Sequence, residues 1–322
     1  MNIAIIGCGV YSMAMAKRLC KVKDNTIKVW TEDNKKVKEF KDTRKVKSIF
    51  KDEVFNDNIT ISNSYEEVMK DSQIVFLMTS ANFMKITLDS IKPFYKRNMK
   101  VIVGTKGFDL ENKKFFSKMI KKTLKTRNIA IIAGPSFAID ILNDEILALT
   151  VATRKSKIFK ALNEIYKDTD TKLERNWDLI GVQLSSVLKN IYAIGSGIFI
   201  GLGHSEAANA VYLNKVLNEM NKILYMLNCD CYTILSLATH ADMIMTCSDS
   251  KSRNYTYGYK LANNKGAATR FLKSNTVEGY AVLQGMYEML KQKKIKAPLL
   301  YTIHDIVFEN MDKKELEKEL LK

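Results

Sequence analysis

A chain of 322 residues, 46% apolar and 27% charged, has the length for two domains and the composition of an ordinary globular protein. Its formal charge of +16 comes mostly from lysines spread along the chain, as in Lys35-Lys36, Lys121-Lys122 and Lys293-Lys294, and not from one basic stripe with interleaved aromatics, which argues against a nucleic-acid partner. No unbroken apolar run reaches the ~18 residues of a membrane span, no basic leader precedes the first apolar run, and the five cysteines (Cys8, Cys20, Cys229, Cys231, Cys247) make neither a disulfide framework nor a zinc pattern; a cytoplasmic protein without membrane span or metal is expected.

The first half alternates short β-rich runs with helical stretches, the pattern of a parallel sheet with crossover helices. Strands are predicted over residues 3–6, 27–30, 59–61, 74–78, 101–103, 129–133 and 147–152, and their apolar character suits burial on both faces. Helical segments at 12–22 and 65–70 fall between them, and a last strand fits within 167–175. After about residue 177 the pattern changes. Residues 179–200, 207–227 and 274–291 carry apolar side chains at three- and four-residue spacing with few strand signals. The tail after residue 308, rich in Lys and Glu, reads as a solvated terminal helix. The fold class is therefore α/β: an N-terminal Rossmann-type parallel-sheet domain over residues 1–178, followed by an all-helical C-terminal domain over 179–322.

Gly7-Cys8-Gly9-Val10-Tyr11-Ser12 follows the first predicted strand and opens the first helix, where a glycine-rich turn binds a dinucleotide. Gly7 makes the tight turn, and Gly9 lets the backbone approach a pyrophosphate. The helix N-terminus at Val10 and Tyr11 then offers its unpaired N–H groups to that phosphate. Ser12 stands where a third glycine is usual, with a side chain small enough for close packing. An acid about 20 residues beyond the turn holds the adenosine ribose in such domains, and Glu32 takes that place; Asp33 reads equally well as a solvated loop acid. A carboxylate there repels the 2′-phosphate of NADP by roughly 1–4 kcal/mol in a partly solvated site. NAD is thus the expected cofactor, with NADH preferred and NADP possible, provided Lys35 and Lys36 point to solvent.

Gly104-Thr105-Lys106-Gly107 places a lysine at the carboxyl end of a strand, where ligands bind in open α/β sheets, and Gly134-Pro135-Ser136-Phe137-Ala138 follows another. Neither is specific alone. In the helical half, Lys189 interrupts a face of apolar and small residues, and a buried ammonium is costly unless paired or functional. Asp242 and Thr246 are four apart and share a helix face. Arg253-Asn254 follows with the planar fork and amide suited to a phosphate monoester.

These segments, in this order, resemble the NAD(P)-dependent glycerol-3-phosphate dehydrogenases over nearly the whole chain; Val277-Glu278-Gly279 and Ala297-Pro298 continue the likeness. The resemblance implies a role for each matched residue. Lys189 moves the proton at the C2 oxygen, with Lys106 and Asp242 orienting substrate and setting its charge, and Thr246 contacting substrate. Asn190, Arg253, Asn254 and Ser136 lie around the substrate. Gly7, Gly9, Val10, Tyr11, Glu32, Ala138, Arg253 and Glu278 face the cofactor. A homodimer is the expected assembly. The implied reaction reduces dihydroxyacetone phosphate to sn-glycerol 3-phosphate, a precursor of phospholipid backbones.

The chain also departs from the family pattern. Residues 45–50 lack the usual Asn and Tyr-Leu-Pro, Glu32 replaces a common basic residue, Ala207 and Asn209 replace Asn and a basic residue, and Lys215 replaces Arg. An alternative enzyme of the same architecture would act on a hydroxy or keto acid, with Arg253-Asn254 on a carboxylate. A catalytically dead binding module would lack Lys189 or Arg253, and both are present.

Overall fold

The computed structural model describes residues 1–109 and 114–322. The chain forms two compact units, one of Met1–Thr105 with Lys114–Leu179, the other of residues 106–109 with Ile180–Lys322.

The first unit is a twisted sheet of eight strands: β1 Asn2–Ile6, β2 Thr26–Trp30, β3 Ile59–Ser62, β4 Ile74–Leu77, β5 Lys100–Val103, β6 Ile129–Ala133, β7 Leu147–Ala152 and β8 Thr171–Asn176. They lie in the order β3-β2-β1-β4-β5-β6-β7-β8. Its helices are α1 Val10–Cys20, α2 Asn34–Thr43, α3 Tyr65–Met69, α4 Met84–Ile91, α5 Phe116–Thr123, α6 Ala138–Leu142 and α7 Ser156–Ile165. The apolar run Ile3–Ile6 of β1 and the whole of β4 are buried on both faces by these crossovers, as their sequences require. Among the lysine-rich helices, α5 buries Phe116 and Ile120 while Lys118, Lys121 and Lys122 stay exposed.

The parallel pattern stops at β7, which is antiparallel to β6, and β8 then runs parallel to β7. A parallel return needs a crossover running the length of the sheet. Between β6 and β7 the chain has only the five-residue α6, about 7 Å of helix, so it comes back in the opposite direction. Arg18 of α1 is fully buried and donates to the carbonyls of Ile141, Glu145 and Asp170, which ties α6 to the sheet's last strands.

The second unit is helical: α8 Leu179–Gly201, α9 Glu206–Met226, α10 Asp242–Ser248, α11 Arg253–Asn263, α12 Lys265–Ser274, α13 Glu278–Gln292, α14 Pro298–Phe308 and α15 Glu315–Leu321. A 3-10 turn, Cys231–Leu235, and a π-helical turn, Leu237–Ala241, precede α10. By length and composition α8 is apolar enough to cross a membrane, yet 89% of its apolar window is buried inside the protein, as in a core helix. It packs on α11 backbone to backbone: a methyl on Gly197 would stand 2.0 Å from the Tyr255 carbonyl, and one on Gly258 2.0 Å from that of Ile194.

Two sequence expectations change here. The helix predicted from residue 274 begins four residues later, at Glu278, because Ser274 is the last residue of α12 and Asn275 turns its side-chain amide back to the Phe271 carbonyl before α13 starts. The tail is docked and not solvated. Leu316 is buried, Lys215 donates to the Leu320 carbonyl, and His204 meets Glu317.

Candidate active site

In the first unit, β1 and β2 end in register, Ile6 opposite Trp30, so the segments that follow emerge side by side. Gly7 sits at φ +119° and donates its N–H to the Trp30 carbonyl; a Cβ there would meet the Met78 carbonyl oxygen at 2.8 Å, so no other residue fits. Gly9 differs. A Cβ on it would find nothing nearer than Ser12 Oγ at 4.0 Å, so the glycine leaves open room in front of α1. That room and the helix N-terminus fit a dinucleotide pyrophosphate. Ser12 is buried and accepts the Gly9 N–H, holding the turn shut behind that space.

Val10 is exposed on the first turn of α1, and Tyr11 is half-buried with its hydroxyl 3.3 Å from Ser136 Oγ. Ser136 donates to the Gly134 carbonyl, and Ala138 opens α6 against the unit's core. The expected substrate residue Ser136 thus lies in the first unit, tied to the glycine-turn helix. The two acids after β2 separate in role. Asp33 accepts the Lys35 and Lys36 N–H groups as the cap of α2, whereas Glu32 is exposed. Of the two lysines expected in solvent, Lys35 is exposed, but Lys36 is half-buried and folds back to donate to the Cys8 carbonyl at 3.4 Å.

In the second unit, α8 carries Lys189 into the interior, where it is 1% exposed. Its Nζ lies 2.5 Å from Asp242 Oδ1 and donates to Thr246 Oγ1 at 2.9 Å; Thr246 in turn lies 3.2 Å from the same carboxylate oxygen. Burial pulls the Lys189 ammonium down to a pKa of about 8, neighbouring Lys106 pushes the same way, and Asp242 opposes them. The π-helical turn ends directly before Asp242, and such turns re-aim the residues beside them. Lys106 Nζ is 4.0 Å from Asp242 Oδ2, an oxygen that is buried without a hydrogen-bond partner among the described residues. The Lys106 side chain is 26% exposed, so the open side of this cluster is lined by a cation.

On the next residue of α8, Asn190 Nδ2 donates to Glu278 Oε2 at 3.0 Å, and Asn254 Oδ1 accepts the Gly279 N–H at 2.8 Å. Gly279 is pressed between them: a methyl on it would meet the Asn190 carbonyl oxygen at 2.3 Å and Asn254 Oδ1 at 2.9 Å. Arg253 is exposed as the first residue of α11, so guanidinium and helix N-terminus offer positive potential together. The structure brings Lys189, Lys106, Asp242 and Thr246 into one cluster and Asn190, Asn254 and Glu278 into another. Gly7, Gly9, Val10, Tyr11, Glu32, Ser136 and Ala138 belong to the first unit.

Sequence reasoning missed Glu219. It is buried and receives the Tyr192 hydroxyl and the N–H groups of Leu299 and Leu300, so it caps α14 and holds the helix face one turn beyond Lys189. An acid in line with Tyr212, Val216 and Ile223 on α9 was the available signal. Asn209, one of the departures from the family pattern, is buried 2.8 Å from Ser196 Oγ and helps join α9 to α8.

Residues 2–159 match the model of the NAD-dependent glycerol-3-phosphate dehydrogenase N-terminus, and residues 178–318 that of its C-terminus. Glycerol-3-phosphate dehydrogenase [NAD(P)+] of Staphylococcus haemolyticus is 26% identical over 324 residues, covering 99% of this chain and 97% of the relative. The enzyme of the same name from Vesicomyosocius okutanii is 29% identical over 306 residues, covering 95% and 92%. As a fold, the chain superposes on the crystal structure of glycerol-3-phosphate dehydrogenase from Coxiella burnetii with a TM-score of 0.90 at 24% identity, covering 100% of this chain and 98% of that one. Both halves of the chain, matched in order, make it a member of the NAD-dependent glycerol-3-phosphate dehydrogenase family.

Proposed function

We propose that this chain interconverts dihydroxyacetone phosphate and sn-glycerol 3-phosphate with NAD(P)H, the first unit holding the cofactor and the second the substrate. NAD(P)H, when bound, supplies the hydride for the C2 carbonyl carbon. Lys189 gives its proton to the C2 oxygen as that oxygen becomes an alkoxide, and the neutral amine regains a proton from solvent. The charges of Lys189 and Lys106 stabilise the developing oxyanion, most strongly where water is excluded. Asp242 and Thr246 hold the Lys189 ammonium in place. Arg253, with Asn254 and Asn190, takes the substrate phosphate, and Glu278 orients Asn190 through the hydrogen bond between them.

The observation that carries this reading is the buried ammonium of Lys189, hydrogen-bonded to Asp242 and Thr246 with its pKa drawn to about 8. A general acid works best with a pKa near ambient pH. NADH is the preferred cofactor because Glu32 stands at the ribose end. Homodimer assembly, a cytoplasmic location and supply of phospholipid backbones complete the reading; exposed apolar Val211 and Tyr225 on α9 support a covered face. The test is NADH oxidation with dihydroxyacetone phosphate against pyruvate and other carbonyls. Turnover confined to the phosphate ester is expected, and equal turnover of a keto acid would overturn the assignment.

A further inference from the structure

We propose that Lys36 is the residue that admits a 2′-phosphorylated cofactor beside Glu32; the inference rests on the reading of the first unit as the NAD(P) site. The in-register ends of β1 and β2 set the geometry. Cys8 lies two residues beyond Ile6 and Glu32 two beyond Trp30, so the glycine turn and the ribose-binding acid leave the sheet on adjacent strands, about 5 Å apart. Lys36 bridges the two. It stands on the first turn of α2, just after Glu32, and its Nζ reaches the Cys8 carbonyl between the two glycines of the turn.

The charges at this corner are Glu32, Asp33, Lys35 and Lys36. Asp33 caps α2, with one oxygen taken by two backbone N–H groups, and Lys35 is exposed. Glu32 and Lys36 are the two side chains at this corner free of the cap, with Asp33 adding a second negative charge near Cys8. An ammonium has three N–H donors. The Cys8 carbonyl accepts one of them; the others are available to an anion on the ribose. Dinucleotide domains read the ribose 2′-hydroxyl with an acid and the 2′-phosphate with a nearby cation. This chain carries both, so Lys36 offsets the repulsion that Glu32 exerts on NADPH, and the preference for NADH is narrower than Glu32 alone would set.

The test measures the dissociation constants of NADH and NADPH on the full chain, from the fluorescence of the bound nicotinamide, in wild type, Lys36→Met and Lys36→Arg. Lys36→Met keeps the apolar stem and removes the charge; it should raise the NADPH constant about tenfold and the NADH constant about twofold at most, as loss of one partly solvated charge pair predicts. Lys36→Arg should restore NADPH binding. Equal weakening of both nucleotides, or none, would show that Lys36 does not face the 2′-position while leaving the dinucleotide reading intact. Wild type that binds neither nucleotide would overturn that reading, and this inference with it. Circular dichroism melting checks the fold, and Lys36→Gln replaces Lys36→Met in the same comparison should the latter unfold.

Discussion

Lys189 and Asp242 form a buried ion pair, Nζ to Oδ1 2.5 Å, in which the second carboxylate oxygen has no hydrogen-bond partner among the described residues and the cation beside it, Lys106, stands 4.0 Å off. A buried pair of this kind fixes a charge in place at the cost of desolvating both partners. The sign of its pH dependence follows from the Lys189 pKa of about 8. Reduction needs the ammonium, so kcat/KM for dihydroxyacetone phosphate should hold below that pH and fall about tenfold per unit above it. Oxidation needs the neutral amine and should rise through the same pH. Asp242→Asn removes the group that raises the pKa, so the reductive fall should begin at lower pH. A pH–rate profile in each direction reads this, and an unmoved profile in Asp242→Asn would contradict it.

Lys189→Ala should lower turnover by roughly 100-fold or more, the usual loss for a general acid, while NADH still binds. Stopped-flow turnover beside a cofactor titration separates the two effects. Near-normal turnover would remove Lys189 from the proton step.

Arg253→Lys keeps the positive charge at the start of α11 and loses the planar fork, so KM for dihydroxyacetone phosphate should rise. Dihydroxyacetone, which has no phosphate, serves as the control substrate. Equal losses on both substrates would mean that Arg253 does not hold the phosphate.

Glu32→Arg exchanges a repelling charge for an attracting one at the ribose end and should narrow or reverse the preference for NADH. The ratio of kcat/KM for NADH and NADPH, in wild type and variant, is the measurement. An unchanged ratio would place Glu32 away from the ribose.

Gly279→Ala drives a methyl into the Asn190 carbonyl and Asn254 Oδ1 and must displace α13 or both asparagines. KM for the phosphate ester should rise several-fold more than the NADH dissociation constant. A variant with native kinetics would show that this corner can yield without moving the phosphate residues.

Much of this was legible in the sequence. The order of strands and helices followed from the change of apolar period, and the Gly7–Ser12 turn stood out as a candidate dinucleotide site because it lies between a first strand and a first helix. Lys189 stood out because a lone lysine on an apolar helix must find a partner. Asp242 and Thr246 were visible as one helix face, but their meeting with Lys189, 53 and 57 positions away in the chain, came only with the packing of α10 on α8. The reversal of β7 and the docking of α15 were decided by tertiary contacts, since each depends on what a short segment meets and not on its own periodicity. Lys36 makes the same point at the cofactor end. By sequence it is one more lysine on a polar helix, and only the in-register ends of β1 and β2 bring the glycine turn within reach of its side chain. Local pattern determines which elements form and which residues carry chemistry. Distances between side chains remote in sequence are set by how the elements pack, because burial and close backbone approach act through three-dimensional neighbours.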